Sequence, residues 1–105
     1  MSRISSIKEK EAWMEEKAVK LRIFGRVQGV SYRYYAYQKA LQLGVSGWVR
    51  NKLNGSVEAL IQGSNEQVSA MARWCHRGSP MAVVESVEQE DIPVDESLDG
   101  FNVRM

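Results

Sequence analysis

The hydrophobic pattern of this chain predicts an α+β fold of the ferredoxin-like kind, βαββαβ, with an antiparallel sheet carrying two helices on one face. Three observations predict it. Apolar and other residues alternate over residues 19–24 and again over 57–61, as in strands with one buried face; a capped stretch of helical period follows at residues 65–77; and glycine-bearing breaks space the elements in the order strand, helix, strand, strand, helix, strand. A length of 105 residues suits one core of two packed layers.

The elements follow in order. Val19, Leu21 and Ile23 alternate with Lys20, Arg22 and Phe24 in the first strand. Gly25-Arg26-Val27-Gln28-Gly29-Val30 breaks the pattern with two glycines four apart, and Ser31 stands where a helix N-cap belongs. A helix over residues 32–43 follows, because Ala36, Ala40 and Leu43 form one stripe and Gly44 supplies a C-terminal stop. Residues 45–51 read as the second strand and Lys52-Leu53-Asn54-Gly55 as a hairpin turn. Val57, Ala59 and Ile61 form the buried face of the third strand, which Gly63 ends. Ser64 and Gln67 have the capping-box spacing, and Val68, Met71, Ala72 and Cys75 recur at i, i+3, i+4 and i+7, so the second helix covers residues 65–77 and stops at Gly78 and Pro80. Residues 81–92 are β-prone, and Phe101 to Arg104 add a short last strand. Residues 1–17 form a charged N-terminal extension, with a short helix expected around Trp13 and Met14, and residues 18–105 form a single domain.

A hydrophobic fraction of 44% and a charged fraction of 26% exclude collagenous, disordered and disulfide-scaffold chains. No apolar run approaches the roughly 18 to 20 residues a membrane helix needs, and the first residues lack the apolar segment of a secretory signal. The single cysteine, Cys75, has no disulfide partner, so a cytoplasmic, reducing compartment is expected. Charge is segregated: Lys17, Lys20, Arg22, Arg26, Arg33, Lys39, Arg50 and Lys52 come before any acid between positions 17 and 57, whereas positions 85–99 hold seven acids and no base. Two readings follow: the segments neutralise each other as neighbours in the fold, or, more sharply, the first half holds an anion site.

Topology points to its position. Strands joined through a helix run parallel with a right-handed crossover, so the carboxyl ends of the first and second strands share one sheet edge. The loop of residues 25–31 therefore comes near Arg50, Asn51 and Lys52. A loop that opens a helix offers unpaired backbone N–H groups at the positive end of the helix dipole, and glycine lets that backbone close on an anion. Arg33, in the first turn, can lean back over such a loop as an oxyanion partner.

Gly25-Arg26-Val27-Gln28-Gly29-Val30-Ser31-Tyr32-Arg33 resembles the first signature of the acylphosphatases, and Gly47-Trp48-Val49-Arg50-Asn51, with Gly55, Val57 and Gly63, resembles the second. The resemblance in element order runs from about Val19 to Val103. It implies a small ferredoxin-like enzyme that hydrolyses the carboxyl–phosphate anhydride of acyl phosphates to carboxylate and orthophosphate, without metal or cofactor. By matched position Arg33 binds the phosphate, Asn51 orients the attacking water, and Gln28, Gly29, Val30, Ser31 and Tyr32 form the substrate-binding loop. The implied partners are a small acyl phosphate and, as inhibitors in the same loop, phosphate or sulfate; no nucleic acid and no membrane are expected, and the chain is expected to be a monomer. The extension is longer than the family usually has. An asparagine is no general base, so the water attacks largely undeprotonated, which suits a loose transition state and a good leaving group.

Other features invite other readings. Cys75 and His76 are adjacent, but neighbours on a helix point about 100° apart, and Cys75 falls on the apolar stripe as a buried thiol, with His76 exposed. Tyr32, Tyr34, Tyr35 and Tyr37 interleave with basic residues, as an RNA-binding module of this fold would require, yet the third strand, Ser56-Val57-Glu58-Ala59-Leu60-Ile61-Gln62, lacks the aromatic platform. A non-catalytic anion-binding module would keep the loop and Arg33 with no need of Asn51. An acylphosphatase-like domain of a carbamoyl-transfer maturation protein normally comes with a much longer, zinc-binding chain.

Overall fold

The computed structural model describes residues 15–105; the helix expected around Trp13 and Met14 lies outside them. The elements are β1 (Glu16–Arg26), α1 (Tyr32–Leu43), β2 (Ser46–Asn51), β3 (Val57–Ser64), α2 (Asn65–Arg77), β4 (Val83–Ile92) and β5 (Phe101–Arg104). Strands order as β4-β1-β3-β2-β5. β1 pairs antiparallel with β3 and β4, and β2 with β3, while β5 lies parallel to β2. The sheet is thus mixed where a purely antiparallel one was expected. After β4 the chain crosses to the far edge, and Gly47 N–H donates to Gly100 O at 2.9 Å as β5 begins.

β1 is longer than its alternation suggested, because Glu16 and Lys17, read with the extension, already pair with Ser64 and Gly63. Gly63 does not end β3; it lies inside the strand. Ser31 occupies the N-cap of α1 but makes no side-chain cap bond, since its backbone is left-handed (φ 62°, ψ 24°) and a capping hydroxyl needs extended backbone. α2 has the expected capping box, with Gln67 N donating to Ser64 Oγ and Ser64 N to Gln67 Oε1.

α1 packs on β2 and β5, and α2 on β1, β3 and β4. Between them lie Val19, Leu21, Ile23, Val49, Val57 and Ile61, all fully buried. Each contributes about 1.5–3 kcal/mol of hydrophobic stabilisation. The register sets the site. Val57 faces Ile23 on one side and Asn51 on the other, so β1 and β2 end together at one edge, and Asn51 shares the helix-covered face with Val49.

Candidate active site

The chain leaves β1 at Arg26 and enters α1 at Tyr32, and the loop between them is held at three points. Val27 is sunk into the core. Gln28 Nε2 donates to Lys52 O at 2.7 Å and Ser56 O at 2.8 Å, tying the loop to the β2–β3 hairpin. Ser79 Oγ, buried after α2, donates to Val30 O at 2.7 Å.

The two glycines of the loop do different work. Gly25 sits at a bulge in the β1–β4 register, where a Cβ would run into Val83 O and lie 2.8 Å from Glu85 N. It serves strand packing. Gly29 is left-handed (φ 74°) with open space around it, and with Ser31 it gives the loop two left-handed residues just before the helix, a backbone shape that gathers N–H groups around an anion.

A cleft of about 460 Å³ opens over this loop, lined by Val27, Gly29, Ser31, Arg33, Asn51 and Val103, with Tyr32 and Tyr34 at its side. Arg33 and Asn51, eighteen positions apart in sequence, thus face one space. Arg33 Nη1 donates to Arg104 O at 2.8 Å, so the last strand steers the guanidinium. Asn51 Oδ1 is buried and accepts no hydrogen bond from any of the described residues. A buried acceptor without a donor costs about 1–3 kcal/mol, so Asn51 is poised to accept a hydrogen bond from a group that enters the cleft.

The remaining expected loop residues divide. Gln28 and Val30 do not line the cleft with their side chains; Gln28 is committed to the hairpin. Tyr32 points into the core, where its hydroxyl donates to Cys75 O at 2.7 Å and its ring packs on Trp74. Burial pushes the Tyr32 phenol far up, and it also pushes the Cys75 thiol up to about 12, so both stay protonated and inert at neutral pH. His76 is exposed, as expected. Two contributors escaped the sequence reading. Arg104 acts through its backbone carbonyl, which no side-chain pattern announces, and Ser79 lies in an irregular segment without periodicity.

The cleft offers a cation, amides and hydroxyls. Its lining has no carboxylate, imidazole or thiol, and among the described residues no three His, Cys, Asp or Glu side chains gather. No described helix is long and apolar enough to cross a membrane.

A family model described as acylphosphatase matches residues 19–103, from within β1 to within β5. The chain belongs to the acylphosphatase family. An acylphosphatase of Rubrobacter xylanophilus is 46% identical over 103 residues, covering 97% of this chain and 94% of the relative. The solved structure of an acylphosphatase from Coxiella burnetii superposes with a TM-score of 0.80 at 34% identity, covering 85% of this chain and 93% of that one. That from Bacillus subtilis gives 0.81 at 27% identity, over 85% and 99%. The chain therefore shares both sequence and ferredoxin-like fold with these relatives across nearly their whole length. Hydrolysis of acyl phosphates is the activity that goes with this family.

Proposed function

We propose that the chain hydrolyses acyl phosphates with Arg33 and the loop of residues 28–32 holding the phosphoryl group and Asn51 orienting the water. The observation that carries this is the buried, unsatisfied Oδ1 of Asn51 on the same cleft as Arg33 and the left-handed loop. Backbone N–H groups at the start of α1 and the Arg33 guanidinium bind the phosphoryl oxygens. A water donates one hydrogen bond to Asn51 Oδ1 and presents its lone pair to phosphorus. The new P–O bond forms as the P–O bond to the acyl oxygen breaks; the acyl group leaves as carboxylate, and the water's protons end on orthophosphate and solvent.

No base is needed because the leaving group is already a weak base, and in a loose transition state positioning and oxyanion stabilisation supply the rate. The same donors suit free phosphate or sulfate, which therefore inhibit competitively. Release of orthophosphate from acetyl phosphate, with p-nitrophenyl phosphate beside it and excess chelator throughout, tests the reading. Rapid hydrolysis of the first alone is expected. Equal turnover of the monoester, or activity lost to chelator and restored by a divalent ion, overturns it.

A further inference from the structure

We infer that a cation-lined trough leads away from the phosphate loop and selects acyl phosphates whose acyl group carries a second negative charge; the inference rests on the acyl phosphate reading above. Three neighbouring depressions share wall residues in series. The cleft shares Gly29 and Ser31 with a second hollow of about 270 Å³, whose walls include Arg26, Val30 and Met81. That hollow shares Tyr35 and Pro80 with a third of about 380 Å³ between α1 and α2, where Lys39, Trp74 and Arg77 stand. At about 1.5 Å per helical residue, Lys39 lies about one and two-thirds turns beyond Arg33, roughly 9 Å along α1.

The walls beyond the cleft have one chemistry. Tyr35, Pro80, Met81 and Trp74 give an apolar bed for a carbon chain, and Arg26, Lys39 and Arg77 give positive charge along it. Among the described residues no Asp or Glu lines any of the three depressions. None of the three cations joins an ion pair among the described residues, although Arg22, Arg50 and Lys17 all do. Glu85, at the β4 bulge beside Gly25, does not line the trough, and the other acids of positions 85–99 continue along β4 and the segment after it. Basic side chains with no counter-ion around a partly apolar bed raise the local concentration of anions and hold a chain that ends in one.

The acyl group leaves from the phosphoryl group held at the loop, and a chain running over Gly29 and Ser31 reaches Arg26 first. A short neutral acyl group never enters the trough. The test compares kcat/KM for glutaryl phosphate and pentanoyl phosphate, which differ in the terminal carboxylate, with acetyl phosphate as reference. The wild-type chain is expected to prefer the glutaryl compound, and the preference to weaken with added salt. Arg26→Gln/Lys39→Gln/Arg77→Gln is expected to lower the glutaryl-to-pentanoyl ratio on the order of tenfold while acetyl phosphate turnover stays within a few-fold. Lys17→Gln/Lys20→Gln/Arg73→Gln removes the same charge outside the trough and is expected to leave the ratio unchanged. A ratio that stays the same in the trough variant, or falls equally in the control, overturns the inference with acetyl phosphate hydrolysis intact. Failure of all proteins on acetyl phosphate instead removes the catalytic reading and the inference with it.

Discussion

Arg33 Nη1 donates a 2.8 Å hydrogen bond to the carbonyl oxygen of Arg104, joining the first turn of α1 to the edge strand β5. The edge strand is itself fastened, because the Arg104 guanidinium stacks on Trp48 at 4.6 Å on the opposite face of the sheet. A long, flexible cation is thereby restrained before substrate arrives, which lowers the ordering cost of binding.

Arg33→Ala is expected to lose on the order of 10³ in kcat/KM, and to weaken orthophosphate inhibition in parallel, because the guanidinium meets the phosphoryl group in ground and transition states. Arg33→Lys is expected to recover little, since an ammonium cannot hold Arg104 O and a phosphoryl oxygen in the same planar geometry. Steady-state kinetics with phosphate as inhibitor measures both. Near-complete rescue by lysine contradicts the positioning by β5.

Asn51→Ala has a different expected signature. It removes a water contact and leaves the loop and Arg33 in place, so kcat falls on the order of 10² to 10³ while the phosphate inhibition constant stays within a few-fold. Because Asn51 Oδ1 is buried without a donor, the alanine protein is also expected to unfold at the same or a higher urea concentration. A folded variant with normal kcat moves the chain toward a plain anion-binding module.

Gln28→Glu tests how the loop and Asn51 are held together. The substitution places carboxylate oxygen against Lys52 O and Ser56 O, where two N–H bonds of 2.7 and 2.8 Å now stand. A loss of about 1–3 kcal/mol in stability is expected, with kcat falling more than phosphate affinity because Lys52 directly follows Asn51. Urea denaturation and inhibition by phosphate separate the two effects. Equal losses in kcat and phosphate affinity contradict a role for the hairpin bond in placing Asn51.

How far these features could be read from the sequence follows from what each depends on. The bounds of α2 came directly, since capping box, apolar stripe and stop residues all agree. The meeting of the loop with Asn51 also followed, because handedness of the crossover leaves little choice once the elements are ordered. β5 as the parallel neighbour of β2 did not follow, because four residues after an irregular segment reveal an extended conformation and not a partner. Ser31 misled for a local reason: serine before a helix favours a cap, and here the loop turns its backbone left-handed instead. The motif places Gln28 in the loop but does not reveal its side-chain partners, since its amide reaches carbonyls 24 and 28 positions away that only the fold brings near.

Glu58 provides the last prediction. It is a carboxylate only 3% exposed on the sheet face away from the helices. Arg50 Nε and Nη2 approach its Oε1 at 2.8 and 2.6 Å, and Arg22 Nε lies 3.9 Å from Oε2. Burial works against the charged form, but the Arg50 hydrogen bond and charge, helped by Lys52 and Lys20, outweigh it and hold Glu58 below the usual carboxylate range. A carboxyl whose folded pKa is depressed adds stability that is fully present above the unfolded value, roughly 4.3, and is lost as pH falls through the folded value. Glu58→Gln is therefore expected to cost about 1–3 kcal/mol at pH 7, a figure kept low because Arg50 is partly exposed. The gap between the two proteins is expected to narrow as pH falls below roughly 4.3, where the carboxyl of the unfolded chain takes up its proton first, and to close once pH has fallen through the lower folded value. Turnover at pH 7 is expected to stay within a few-fold, because Asn51 projects to the other face of β2 from Arg50. Urea midpoints of both proteins at pH 7 and at pH 3, with kcat at pH 7, measure this. A gap of the same size at both pH values means that lost packing, not lost charge, sets the cost.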